Sequence, residues 1–288
     1  MNTPGFDLIQ PNGGRTTSVV FASPHSGRDY SAAFLAQSSL DKLSIRSSED
    51  AFVDKLFAAA PDYGAPLLCA RAPRAYVDLN RGADELDAAV IDGLTSRATN
   101  ARIASGLGVI PRVVSHGRAI YTGKISLAEA LRRIEEVWHP YHAALHRLTA
   151  ENTAQFGEAI LIDCHSMPHE AIQAFARAGI KRPNIVLGDR YGSSASAAVL
   201  ALVEAAFSRQ GFAVSRNAPF SGAYIVQQYG RPSRNQHAIQ IEIDRALYMN
   251  EQTIQPNANF LNTQIRLTAA IEEITAIGRS SSTQLAAE

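Results

Sequence analysis

Residues 159–170 read AILIDCHSMPHE, and the first half of that stretch decides how the rest of the chain is read. Ala159 to Ile162 is an unbroken apolar run of the kind found in strands buried on both faces. It passes directly into Asp163, Cys164 and His165, then into Pro168, His169 and Glu170. In open α/β sheets ligands bind beyond the carboxyl ends of the strands, so these polar residues stand where a site would be built.

Working outward, the stretch before it, 126–156, has strong helical periodicity, and Pro140 is expected to end or kink its first segment. After it come NIVLGD as a strand, SASAAVLALVEAAFSRQG as a helix stopped by Gly211, FAVSRNAPFSG as a strand and loop, and HAIQIEIDRALY as a late strand. A last helix is expected from Asn257 to Ile277, with a frayed tail over 279–288. Upstream, SVVFASPHSG reads as a strand feeding a loop. EDAFVDKLFAAAPDYG places Phe52, Val53, Leu56, Phe57 and Ala60 on one helical stripe that ends at Gly64. APLLCARA and AYVDLNRG read as short strands, and 82–125 as a long loop region of the kind that often carries function. Strands alternating with helices predict an α/β fold, and with no repeat, linker or charge block to divide it, one domain over residues 1–288.

Formal charge is balanced, 27 basic against 27 acidic residues, which argues against nucleic acid or an anionic membrane as a partner and for a small molecule held at a local site. Two cysteines are too few for a disulfide scaffold or a cysteine zinc ribbon and suit a reducing compartment, with the cytoplasm as the default. The stretch MNTPGFDLIQPNGG lacks the basic segment and apolar run of a signal peptide, and no apolar run approaches the ~20 residues of a membrane helix, so neither is expected.

Four polar stretches fall at expected strand ends: SPHSG, VDLNRG, DCHSMPHE and IEIDR. His25 and His165 occupy equivalent positions in two of them, and imidazole at the rim of a rigid strand is a common zinc ligand. Asp163 shares a strand face with His165 and could orient its ring. A third ligand should be a carboxylate, and Glu49, Asp50 and Asp54 are all available; helical spacing sets Glu49 nearest the apolar stripe, although acidic residues in a first turn are stabilising without any function. Arg71, Arg74 and Arg81 with Asn80 could hold a substrate carboxylate, or be spent on ion pairs with Asp78, Asp84 or Glu85. Glu242, between Ile241 and Ile243, is a candidate general base with Asp244 as its rival on the same face. Cys164 points away from His165 and reads as a buried apolar residue rather than a nucleophile.

Taken in order, SPHSG, EDAFVDKLF, YVDLNRG, IYTGKIS, WHPYHAAL, LIDCHSMP, PFSGAYIVQQYGRP and HAIQIEIDRALYMNE resemble the N-formylglutamate amidohydrolase family over residues 20–250. The resemblance implies a three-layer α/β/α domain with a mixed central sheet, of the zinc-exopeptidase/phosphorylase-hydrolase-like kind, related to zinc carboxypeptidases and aspartoacylases. It also implies hydrolysis of N-formyl-L-glutamate to formate and L-glutamate in histidine degradation, with one divalent metal, zinc first. On this resemblance His25, Asp50 and His165 match the metal ligands, and Glu242 the general base. Asn80 and Arg81 match the residues that hold the substrate carboxylate, and Arg74 stands near another substrate-binding arginine. One departure stands out: three residues after His25, where the relatives carry a ligand glutamate, this chain has Arg28. Hydrolysis of another N-acyl amino acid or a peptidoglycan-derived amide, and non-catalytic binding of an acidic amino acid on the same scaffold, are the alternatives.

Overall fold

The computed structural model describes residues 5–94, 100–173 and 182–285. By contacts, the chain divides into two compact units that each draw on several segments. The first comprises the residues up to Asp7, Pro24–Ala51 and Cys69–Ala144; the second comprises Leu8–Ser23, Phe52–Leu68 and everything from Leu145 on.

The fold is α/β, as the alternation predicts, around a mixed sheet of seven strands. In chain order these are β1 (Phe6–Ile9), β2 (Val19–Ser23), β3 (Leu67–Ala70), β6 (Ala159–Met167), β7 (Ile185–Gly188), β8 (Val214–Arg216) and β9 (Gln236–Asp244). Their order in the sheet is β1-β3-β2-β6-β9-β7-β8. Four further two-residue strands form ribbons, β4 (Ile91–Asp92) with β5 (Ile125–Ser126) and β10 (Met249–Asn250) with β11 (Gln255–Pro256). Within the second unit β2, β6 and β9 are parallel, and β7 turns antiparallel to β9. The opening stretch is the centre of this sheet: all nine residues of β6 are buried, which is why they read as one continuous run rather than an alternation. β6 and β9 stay in register from Ala159 opposite Gln236 to Met167 opposite Asp244.

The helices are α1 (Ala32–Gln37), α2 (Val53–Leu56), α3 (Ala101–Ala104), α4 (Leu127–Arg133), α5 (His139–Phe156), α6 (Glu170–Gln173), α7 (Ala197–Arg209), α8 (Tyr224–Tyr229) and α9 (Phe260–Leu285). Serine side chains start α4 and α7 by accepting main-chain N–H groups, Ser126 from Glu129 and Ser196 from Val199. In the second unit α7 packs on β7, β8 and α9, while α9 also covers β2.

The structure corrects several local expectations. The helix expected from 49 to 63 is one turn, Val53–Leu56, then a 3₁₀ turn at Ala60–Tyr63, because Phe52 lies at φ 67°, a left-handed conformation that a helix cannot pass through. AYVDLNRG is not a strand: Tyr76 N–H and Val77 N–H both turn back to Pro73 O. Pro140 does not stop its helix. A π-turn, Ile134–Trp138, precedes it, so the widened turn makes room for a ring that would otherwise meet the carbonyl four residues back. The expected loop region 82–125 contains the one-turn helix α3 and the strands β4 and β5, and its residues 95–99 lie outside the described ones. α9 continues past Gly278 to Leu285, and residues 286–288 of the expected tail lie outside the described residues. The strand β1 had no counterpart in the sequence reading.

Candidate active site

In the first unit, His25 follows the end of β2 and is almost fully buried. Its loop lies flat against the main chain of the neighbouring turn at Gly27, where a Cβ would come within 2.1 Å of Ala72 O. His25 Nε2 donates to Asp78 Oδ1 at 2.7 Å. Asp78 also accepts from Asn80 N–H at 2.8 Å and from Arg74 Nε at 3.1 Å. Burial alone would raise the Asp78 pKa, but His25, Arg81 and Arg74 together overcome it and hold the carboxyl well below its ordinary value. His25 Nδ1 lies 3.5 Å from Asp50 Oδ2 on the other side of the ring. Asp50 N–H also donates to His25 O at 2.9 Å, which ties the two residues by their main chains.

The other carboxylate left open by the sequence is differently employed. Glu49 accepts a two-pronged contact from Arg46, at 2.9 and 3.0 Å, and a third from Tyr30 OH at 3.3 Å. Neither acid belongs to a helical first turn, because α2 begins at Val53. Among the arginines, Arg71 pairs with Asp29 at the surface and Arg74 with Asp78. Arg81 is buried, donating through Nε to Leu107 O and through Nη1 to Asn80 O. Burial lowers its pKa, with the Asp78 charge opposing.

In the second unit, strand alternation places Asp163 and His165 on one face of β6, and His165 Nε2 lies 3.0 Å from Asp163 Oδ2. Both histidines thus have the same design, with Nε2 turned to a carboxylate that orients the ring. In register with that pair on β9 are Gln240, opposite Asp163, and Glu242, opposite His165. Glu242 is buried and accepts from Gln240 Nε2 at 2.7 Å. Its rival Asp244 is engaged elsewhere, 2.9 Å from His169 Nδ1 and accepting from Ala246 N–H at 3.0 Å. Cys164 is fully buried, with Sγ 3.5 Å from Ile162 O.

Two participants escaped the sequence reading. Asp78 figured only as an ion-pair partner for arginines, since its contact with His25 spans 53 positions that spacing cannot bridge. Gln240 had a usable signal: it stands two before Glu242 and therefore on the same strand face.

The model of the family described as FGase, N-formylglutamate amidohydrolase, matches residues 17–249 of this chain. The N-formylglutamate deformylase of Pseudomonas aeruginosa is 30% identical over 237 residues, covering 81% of this chain and 83% of that protein. That of Pseudomonas putida is 27% identical over 236 residues, covering 81% and 82%. Among solved structures, the N-formylglutamate amidohydrolase of Ralstonia eutropha is similar with a TM-score of 0.89 and 35% identity, over 96% of this chain and 99% of the other. A protein of Agrobacterium tumefaciens, at TM-score 0.63 and 15% identity over 96% of each chain, shares the fold alone.

Proposed function

The chain belongs to the N-formylglutamate amidohydrolase family, a hydrolase acting on an amide C–N bond, and we propose that it converts N-formyl-L-glutamate and water to formate and L-glutamate with one divalent metal. The observation that carries the metal is the donor set. His25, Asp50 and His165 are buried side chains whose ligand atoms form a group able to share one ion. Each imidazole is oriented by its own carboxylate, as metal-binding histidines commonly are. Two imidazoles and a carboxylate suit zinc, with a position left for water or substrate.

When bound, such an ion supplies Lewis-acid polarisation of the formyl carbonyl and lowers the pKa of water. The chain's own residues do the remainder. Glu242 takes a proton from the attacking water and returns it to the leaving amine, which departs as glutamate. Asn80 and Arg81 bind a substrate carboxylate, and Arg74 stabilises negative charge developing on the formyl oxygen. Asp78 and Asp163 fix the orientation of the two imidazoles. Histidine degradation is the route that this activity serves. No helix among the described residues is long and apolar enough to cross a membrane. The two cysteines are buried free thiols, which fits the cytoplasm.

The test is formate release from N-formyl-L-glutamate by purified protein of measured metal content, with and without a chelator, alongside a panel of other N-acyl amino acids. About one metal per chain and chelator-sensitive formate release are expected. A folded, metal-loaded protein that releases neither formate nor amine from any member of the panel would overturn the reading.

A further inference from the structure

Residues 79–81 carry the proposed carboxylate clamp, yet they belong to no β-ladder. Their three consecutive carbonyls are instead capped by side chains. Leu79 O accepts from His142 Nε2 at 2.9 Å, Asn80 O from Arg81 Nη1 at 2.7 Å, and Arg81 O from Trp138 Nε1 at 2.9 Å. A carbonyl only accepts, so the first of these bonds requires a proton on His142 Nε2. Burial, the largest influence on this ring, lowers the His142 pKa to about 4, so it is neutral at physiological pH. The indole and imidazole lie against each other with centroids 4.0 Å apart and planes 31° apart.

The π-turn explains how one helical stretch reaches this segment twice. Trp138 is its last residue, and His142 is one turn further along α5. Just before the π-turn stands Arg133, fully buried, whose guanidinium lies 4.2 Å from the centre of the Tyr76 ring and donates to Tyr121 OH at 2.7 Å. One residue in an α-helix corresponds to about 100° of rotation, so without the extra residue Arg133 and the Trp138–His142 pair would face different directions. With it, Arg133 holds Tyr76 while Trp138 and His142 hold Arg81 and Leu79.

We infer that Trp138 and His142 are positioning residues for substrate: through main-chain carbonyls they hold the Asn80–Arg81 clamp in the conformation that receives one carboxylate of N-formylglutamate. The inference rests on the function proposed above. It assigns these two rings to substrate binding rather than to the chemical step.

The experiment compares wild type with Trp138→Phe, which keeps an aromatic ring but removes the N–H donor together with part of the indole's bulk. Three substrates are used: N-formyl-L-glutamate, N-formyl-L-glutamine and the α-amide of N-formyl-L-glutamate. KM for N-formyl-L-glutamate should rise roughly five- to tenfold, the worth of one hydrogen bond, while kcat stays within about twofold. For whichever amide neutralises the carboxylate held by the clamp, the penalty should vanish. An unchanged KM, or a fall in kcat equal across all three substrates, would overturn the assignment. If Trp138→Phe does not fold, His142 decides by the same measure: His142→Gln, which keeps a donor, should hold KM near wild type, and His142→Leu should raise it. Equal KM values for those two variants would count against the inference. Wild-type protein that releases no formate would sink the proposed function instead, a result distinct from an active enzyme indifferent to Trp138.

Discussion

Gln240 Nε2 donates to Glu242 Oε1 at 2.7 Å, and the orientation of that amide is set from behind by Ala223 N–H, which donates to Gln240 Oε1 at 2.9 Å. A main-chain N–H can be received only by the amide oxygen, so the NH₂ group must face the carboxylate. Gln240→Met keeps the bulk and removes both bonds. About 1–1.5 kcal/mol of transition-state positioning should be lost, read as a roughly tenfold fall in kcat with KM and metal content unchanged. Glu242→Gln, which removes the proposed base itself, should cost at least about a hundredfold while still retaining metal. Formate assays beside metal analysis check both, and a Gln240→Met enzyme with full kcat would remove Gln240 from the mechanism.

Asp78→Asn and Asp163→Asn each weaken the bond that orients one imidazole without removing a ligand atom. Metal affinity should fall by about ten- to a hundredfold in each variant, measured by competition against a chromogenic chelator. Asp78→Asn should also reduce stability, because it leaves the partly buried Arg74 without its carboxylate.

Glu49 and Asp50 should separate cleanly by assay. Glu49→Gln should keep metal and lose about 1–3 kcal/mol of stability to urea, since it breaks the two-pronged contact with Arg46. Asp50→Asn should abolish stoichiometric metal binding in a folded protein. The opposite pattern would move the ligand to Glu49.

His142 supplies a pH signature of stability. Its pKa is lowered from 6.5 to about 4 in the folded chain, so below 6.5 the unfolded state takes up a proton that the folded state refuses. The associated stability is complete above 6.5 and is lost as pH falls toward 4, at most about 3 kcal/mol. Urea midpoints measured from pH 7 to 4 should fall less steeply in His142→Gln than in wild type.

Cys164→Ala should leave turnover within about twofold, because the thiol is buried and turned toward Ile162 O. The change should cost about 1 kcal/mol through lost packing. Inactivation of native protein by iodoacetamide, protected by substrate, would contradict this.

What the sequence could disclose follows from how local each cause is. Apolar runs and helical stripes announced β2, β6, β7, β9 and α7, because burial of a strand or of one helix face is written in consecutive residues. β6 placed Asp163 and His165 on one face by alternation alone, and their contact is present. Elements shaped by distant partners were not legible in the same way. The 75–82 segment reads as a strand in sequence, yet Val77 to Arg81 are all buried and the carbonyls of Leu79 and Arg81 are taken by His142 and Trp138 from another part of the chain. Glu49 looked better placed than Asp50 only while a helix was assumed to run through both, and the left-handed Phe52 stands between them and α2. Asp78 reaches His25 across 53 residues, a closeness no spacing rule conveys.

The unbroken nine-residue pairing of β6 with β9 makes the separation of His165 from Glu242 a matter of counting. One residue inserted into either strand ahead of that pair would set an isoleucine or Cys164 across the ladder in place of one partner, and would turn the displaced side chain to the other face. Insertions in the loops outside the ladder do not change that count. Loops that carry none of the proposed site residues could therefore change in length and leave this spacing intact, whereas neither central strand could be lengthened by one position.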